Sequence, residues 1–324
     1  MNDWNEDRLD RELNAMMEAI PESEELEVKI MRSINRRIRK SVMRSLALMA
    51  SIILAAVLII NPLLNAMYIN PYELNQKPEQ TMLHVLRDYY ETTHPYRELI
   101  GLEVKKKGFA RYELGMQIAD LTQPVHIGGS NVWCDINYGK YENLVTTDVP
   151  ITHYANRFSD NWESQEEMIQ KISELPRSAK IYLSVSDTAP KSVDELRSLP
   201  VTAKWMQVYQ PNAAYNGGIA LEMAALYTDD DEREDKTAEQ LLEIYLGNLE
   251  NLLNHPAIWT QMQLCDGRNT VYTDQILVET FEDAKTLSSL TSKNYCVYGQ
   301  RDDVLHFLQE NTLDVVYVEN VRLW

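Results

Sequence analysis

The chain has 324 residues, and its 49 acidic side chains outnumber its 31 lysines and arginines, which gives a formal net charge of −18. Most of the excess lies in residues 73–324, which contain 39 acidic and 22 basic residues. This charge argues against direct binding of that region to nucleic acid or to an anionic membrane surface. Its length, about 250 residues, is enough for one large domain or two small ones.

An amphipathic helix is predicted in the acidic N-terminal segment. Four apolar residues recur at helical spacing and form a stripe: Leu9, Leu13, Met16 and Ile20. Met17 lies beside this stripe, and Trp4 precedes it. A helix this short is marginal in water, so we expect the stripe to bind in the groove of a protein partner. Association with the bilayer is the alternative, and the acidic face of the helix disfavours it. Pro21 interrupts the helix, and the glutamates after it suit the start of a second helix.

A membrane-spanning helix is predicted next. Residues 45–72 contain no charged side chain, and an apolar stretch of roughly 20 residues crosses a bilayer core. We expect the span over residues 45–67, with a kink or an early exit at Asn61 and Pro62. The alternatives are a cleavable signal peptide, which normally has a shorter leader and a shorter apolar core, and a buried core helix, which rarely follows so basic a run.

The charges beside the span predict its orientation. Residues 29–44 contain no acid and seven bases: Lys29, Arg32, Arg36, Arg37, Arg39, Lys40 and Arg44. A comparable stretch beyond the span offers only Lys77 and Arg87. Lysine and arginine near a span are retained on the cytoplasmic side. Residues 1–44 are therefore predicted to form a cytoplasmic arm, and residues 68–324 to lie outside a cell membrane that the chain crosses once.

Helical and strand-like patterns alternate beyond the span. In residues 68–160 they predict a helix over 82–92, a hairpin of strands 99–105 and 109–118, and extended segments 131–137 and 144–152. In residues 161–324 they predict helices over 162–175, 192–198, 238–254 and 304–309, helical spacing within 271–290, and strands over 180–185, 203–209, 219–227, 295–298 and 314–323. The expected class is α+β: a single transmembrane helix with a short helical cytoplasmic arm and a mixed helix/strand extracytoplasmic domain.

Motifs that report catalysis are missing from the sequence. It contains no G-x-S-x-G elbow, no P-loop, no H-E-x-x-H and no C-x-x-C. The acidic run at 228–235 lacks the ligand spacing of a calcium loop, and the six histidines are scattered. Cys134, Cys265 and Cys296 are far apart; buried thiols are favoured, and one disulfide plus a thiol stays open. We therefore expect no catalytic residue, no cofactor and no metal site, and we do not expect an enzyme.

Several blocks of the chain resemble the Gram-positive sigma-factor-regulator family. The first reads YETTHPY at residues 90–96, followed by Gly101 and by KGFARYEL at 107–114, and is similar to the N-terminal half of that family. Three later blocks resemble its C-terminal domain: SAKIYLSVS at 178–186, residues 201–209 around Trp205, and residues 298–324 ending in VRLW. The blocks occur in the family's order and extend from the tether after the span to the last residue.

The resemblance implies a membrane anti-sigma factor. Members of that family hold an alternative sigma factor, one that responds to envelope stress, away from RNA polymerase with a cytoplasmic N-terminal segment. Their outer domain is expected to sense the signal or to recruit another molecule. The expected partners are then a sigma factor, the lipid bilayer and, as an open possibility, a second membrane protein. The arm contains no histidine or cysteine, which excludes the zinc-binding class of anti-sigma helix. An extracytoplasmic binding or sensor module without a sigma partner is the alternative.

Overall fold

A computed structural model describes residues 11, 14–15, 23–76, 79–95, 97–120, 122, 129–147, 164–213, 216–223, 233–265 and 273–323. The chain divides into two compact units, Met1–Leu64 and Asn65–Trp324. The predicted boundary at residue 160 lies outside the described residues. The described part of the second unit is a mixture of helices and two antiparallel sheets, which confirms the α+β class.

One long helix dominates the described part of the first unit. Helix α1, Ser23–Met67, contains 45 residues and joins the predicted second helix of the arm to the predicted span without a break. The helix runs on through Asn61 and Pro62, and the predicted kink or early exit from the membrane at this step stays a prediction. Proline keeps a helical φ and removes one backbone donor, which a long helix can tolerate.

The first sheet of the second unit is a meander. Its strands β1 (Arg97–Gly108), β2 (Arg111–Asp120), β3 (Gly129–Asn137) and β4 (Lys140–Thr147) pair in chain order. The β3–β4 turn places Tyr138 at φ 51° and Gly139 at φ 78°. Two consecutive residues with positive φ are typical of a type I′ hairpin turn, whose twist matches that of the flanking strands.

The second sheet has five strands in the order β7-β6-β8-β5-β9. These are β5 (Lys180–Ser192), β6 (Thr202–Gln207), β7 (Gly218–Ala220), β8 (Thr291–Gln300) and β9 (Leu313–Arg322), and all neighbours are antiparallel. Side chains alternate between its two faces. Ile181, Leu183 and Val297 lie in the main hydrophobic core, whereas Tyr182 and Tyr298 belong to a separate cluster.

Eight helices among the described residues belong to the second unit. Two are short, α2 (Pro71–Leu74) and α5 (Val193–Arg197), and the others are α3 (Thr81–Thr93), α4 (Gln165–Ser173), α6 (Ala238–Asn254), α7 (Pro256–Cys265), α8 (Asp274–Ala284) and α9 (Arg301–Glu310). Helices α4, α5 and α6 begin with capping boxes, in which the first side chain and a Glu or Gln three residues later satisfy each other's backbone donors.

Helix α3 connects the two sheets. It packs against β1 of the first sheet and β7 of the second, and also against α6 and α7. Its apolar face, including Met82, Val85 and Leu86, is fully buried. One continuous hydrophobic core therefore extends from the first sheet through α3 to the second. This arrangement brings the polar C-terminal end of α3 against β6, β7 and α6.

Candidate functional site

Helix α1 has the properties of a membrane helix. Over Val28–Ile60 it is long and apolar enough to cross a bilayer, and none of its most apolar 18-residue window is buried. Leu46, Ile53 and Leu58 are each more than half exposed. Each Å² of apolar surface left in water costs about 25 cal/mol. By its length and composition, α1 is therefore a candidate for a membrane-spanning helix.

The predicted functional residues of the N-terminal region divide into two groups. The five orientation cations nearest the span lie on α1 and have exposed side chains: Arg36, Arg37, Arg39, Lys40 and Arg44. The predicted partner-binding residues lie outside the described residues: Trp4, Leu9, Leu13, Met16, Met17 and Ile20. Three described residues lie in sequence among the predicted partner-binding residues, and they are helical and exposed: Arg11, Asn14 and Ala15.

A buried polar cluster lies where α3 meets the second sheet. We call it the α3 junction: Asp88, Glu91, Trp205, Arg233, Asn248 and Asn251. The Glu91 carboxylate accepts a hydrogen bond from Asn248 Nδ2 at 2.9 Å and one from the Ala220 backbone N–H at 3.2 Å, and it lies 3.5 Å from the Arg233 guanidinium. The Glu91 carbonyl accepts from Trp205 Nε1 at 2.8 Å. A single residue of α3 thus holds β6, β7 and α6.

Asp88 is the titratable group of the α3 junction. Burial, reinforced by the nearby Glu91 charge, raises its pKa to about 7, although the hydrogen bond from Asn251 Nδ2 at 2.6 Å and the charges of Arg87 and Arg233 oppose the shift. The carboxyl group therefore changes its protonation state near neutral pH. Asp88 is partly exposed at the contact of α3 with α6, and no metal-binding group is present among the described residues around it.

The first block of the family resemblance ends α3. The His94 ring is buried and lies 4.7 Å from the Tyr90 ring, and its Nδ1 is 2.6 Å from Thr93 Oγ1. His94 is the C-cap of the helix, and its backbone N–H donates to the Tyr90 carbonyl. In the structure this segment secures the end of α3 in the core.

A second polar cluster occupies the opposite face of the second sheet from the main core. We call it the lysine–tyrosine cluster: Lys180, Tyr182, Lys204, Tyr298 and Arg322, with Glu222 beside them. The Tyr182 and Tyr298 rings stack with centroids 5.4 Å apart. Lys180 Nζ lies 4.0 Å and Lys204 Nζ 5.0 Å from the Tyr298 centroid. The Arg322 guanidinium donates to the Tyr182 hydroxyl at 2.6 Å.

Lys204 lies at an irregularity of strand β6. The β6–β8 register shifts between Ala203 and Trp205, so Lys204 is an extra residue on β6. Such a bulge redirects a side chain, and Lys204 reaches both the Tyr298 ring and the Glu222 carboxylate. The backbone carbonyl of Lys204 accepts from the Leu221 N–H at 2.8 Å, which fixes the bulge against the segment after β7.

Sequence reasoning named Trp205 and the blocks around Lys180 and Tyr298, but it did not assemble this cluster. Along β5, Lys180 and Tyr182 alternate with the buried residues Ile181 and Leu183. This alternation indicated that a cation and an aromatic ring share the face of the strand that points away from the main core. The partners come from β6, β8 and β9, and strand order cannot be read from such local patterns.

Two expectations about cysteines and metals can be compared with the described residues. Cys134 and Cys296 are buried thiols, as favoured by the sequence, and the Cys265 side chain lies outside the described set. Among the described residues there is no group of three or more His, Cys, Asp or Glu that could hold a metal ion.

Comparisons with known proteins give no further guide to function. No protein-family model, no curated protein and no solved structure matches the chain.

Proposed function

We propose that the chain is a membrane-anchored anti-sigma factor, whose arm of residues 1–44 sequesters an alternative, extracytoplasmic-function sigma factor. In the absence of an envelope signal, this sequestration represses transcription from the promoters that the sigma factor recognises. The observation that carries the proposal is α1. One continuous helix bears a dense run of cations and then an exposed apolar run of membrane-spanning length. This arrangement suits a connector between a small protein-binding segment and a large folded unit.

The charges of α1 support an inward-facing arm. Its Lys and Arg residues all precede position 45, and the positive-inside rule retains such a segment in the cytoplasm. The second unit, residues 65–324, would then lie outside the membrane. Its two sheets and continuous core are suited to sensing or recruitment.

The arm supports a protein partner rather than nucleic acid. Its first 28 residues, which contain the apolar stripe, carry ten acids and two bases, so a nucleic-acid backbone would repel this segment. The stripe of Leu9, Leu13, Met16 and Ile20 matches the pattern by which an amphipathic helix fills an apolar groove on a protein. Masking of a sigma factor needs such buried apolar area.

The test disrupts the stripe in the full-length chain. Leu13→Asp combined with Met16→Asp places two charges on the apolar face, where burial in a partner would leave them unpaired. We expect transcription from the sigma factor's promoters to rise at least about tenfold, because loss of a hot-spot residue of an interface costs about 2 kcal/mol of binding or more. Promoter reporters measure the response, and immunoblotting of membranes measures the amount of the chain.

A charge-matched control is available within the same turn. Asn14→Asp combined with Ala15→Asp adds the same two charges on the faces away from the stripe, and we expect repression to persist. Equal promoter activity with both double variants at equal membrane levels would overturn the proposed arm. If the chain also fails to co-purify with any sigma factor, the function is that of an extracytoplasmic sensor or binding module.

A further inference from the structure

The lysine–tyrosine cluster has an unbalanced charge in a strongly acidic region. Lys180, Lys204 and Arg322 share one face of the second sheet, and the Glu222 carboxylate contacts Lys204 and influences Lys180 through its charge. Lys204 pairs with Glu222, while within the described part of the chain Lys180 and Arg322 form no ion pair. Counted over the described residues of the cluster, two positive charges thus exceed the negative charge, although residues 73–324 as a whole carry a large excess of acid.

These cations are held in place rather than free on the surface. Lys180 lies over Tyr298, Lys204 is fixed by a strand bulge, and Arg322 is bonded to the hydroxyl of Tyr182, a side chain that is only 2% exposed. An anion would therefore meet preorganised donors, whose side-chain entropy has already been lost on folding.

The cations also repel one another. The pKa of Lys180 is lowered by partial burial and then by the charges of Arg322 and Lys204. The nearby Glu222 carboxylate opposes this shift, but among the described residues it is paired only with Lys204. Structural ion pairs normally bring opposite charges together, so this pattern is typical of a binding site for an anion.

We infer that the lysine–tyrosine cluster binds a phosphate group, with Lys180, Lys204 and Arg322 as its ligands. The charge favours phosphate over a single carboxylate, because a phosphomonoester carries about −1.5 to −2 charges at neutral pH and matches the surplus of two. Arginine and lysine are the side chains that bind phosphate oxygens, arginine through its planar fork and lysine as a point charge. The group could be free inorganic phosphate or the phosphate ester of a larger envelope molecule.

Calorimetric titration of the full chain in uncharged detergent micelles tests the site, with inorganic phosphate as the probe. We expect a dissociation constant below about 1 mM. Lys180→Gln and Arg322→Gln should each weaken binding about tenfold or more, the usual effect of losing a hydrogen bond to a charged group. Glycerol phosphate forms the second arm: tighter binding than inorganic phosphate identifies an ester as the natural ligand, and equal or weaker binding identifies the free ion.

Two further variants separate a binding site from a merely structural cluster. Lys293→Gln removes a lysine that lies 5.5 Å from the Tyr209 ring elsewhere on the second sheet, and it should leave phosphate affinity unchanged. Glu222→Gln removes the competing acid and should tighten phosphate binding, an effect that damage to the fold would not produce. Absence of phosphate binding to the native chain, or equal loss with Lys180→Gln and Lys293→Gln, would overturn the proposal.

Discussion

The α3 junction and the lysine–tyrosine cluster both lie at the second sheet, but they differ in how far their charged side chains are paired with opposite charges. In the junction the Glu91 carboxylate is almost fully buried and meets Arg233, Asn248 and a backbone N–H. In the cluster three cations surround one acid, and four of the six side chains remain partly exposed. Burial demands local neutralisation, since an unpaired charge in the core is costly. Charged side chains that have no partner of opposite charge must instead be solvated by water or neutralised by a ligand.

Glu91→Gln should give the largest effect of the changes that separate the two regions. It preserves the shape of the side chain but leaves Arg233 without its buried counter-charge, and breaking a buried ion pair typically costs about 3–5 kcal/mol. We expect the free energy of unfolding of the full chain in detergent to fall by about that amount. Urea unfolding followed by tryptophan fluorescence measures it.

Glu222→Gln is the matched control in the cluster. Its carboxylate contacts a lysine, as Glu91 contacts an arginine, but one side chain of this pair is 20% exposed and water can take over the solvation. Because the Glu222 side chain is 20% exposed, against 3% for Glu91, we expect a smaller loss than for Glu91→Gln. Similar losses for the two glutamine variants would show that burial does not distinguish the two regions.

The second prediction concerns the pH dependence of the α3 junction. The pKa of Asp88 is about 7 in the folded chain, above its ordinary value of 3.8, so the fold favours the neutral carboxyl. Its contribution to stability is complete below about pH 4, decreases as pH rises towards 7 and is lost above it. Each pKa unit corresponds to 1.36 kcal/mol, which sets an upper limit on the order of 4 kcal/mol.

Asp88→Asn tests this titration. The amide oxygen still accepts from Asn251, and no carboxylate has to be buried at neutral pH. The variant should be more stable than the native chain at pH 8, and its advantage should disappear towards pH 4. Unfolding free energies at several pH values give the comparison, and an unchanged pH slope would contradict the assigned protonation of Asp88.

The sequence predicted the elements of these regions better than their meeting points. Helix α6 was predicted over 238–254 and observed over that range, because its apolar residues recur at helical spacing between Thr237 and His255. Helix α7 was not predicted, and its apolar residues do not form one narrow stripe: Ile258, Trp259 and Met262 are all buried. Strand β4 begins at Lys140, four residues before the prediction, because the tight turn at Tyr138 and Gly139 joins it directly to β3, which ends at Asn137 as predicted.

Charge pairing could not be predicted for a different reason. Glu91 and Arg233 are separated by 142 residues in sequence, and Lys180 and Arg322 by a similar interval. Their neighbours depend on the strand order β7-β6-β8-β5-β9, in which β5 pairs with two later strands rather than with β6. Local patterns place a charge on a face of an element, but only the topology decides which other charges share that face.

A smaller effect than that of Glu91→Gln is expected where the two regions touch, at Trp205. Its indole packs with Tyr182 and Cys296 beside the cluster, while its Nε1 donates to the Glu91 carbonyl of the junction. The ring lies directly over Gly218 of β7, where an added Cβ would fall 1.7 Å from Cζ2 of the indole. Gly218→Ala must therefore displace Trp205, and overpacking of this kind costs about 1–3 kcal/mol.

Gly247→Ala provides the comparison for this substitution. Gly247 lies in α6 with no atom within 4 Å of an added Cβ, and alanine is favoured over glycine in a helix by about 0.8–1 kcal/mol. The two variants should therefore change the unfolding free energy in opposite directions. Because Trp205 links the regions, the Gly218→Ala loss should be smaller when Glu91 is already glutamine than in the native chain. Strict additivity in that double-mutant cycle would show that the junction and the cluster are independent.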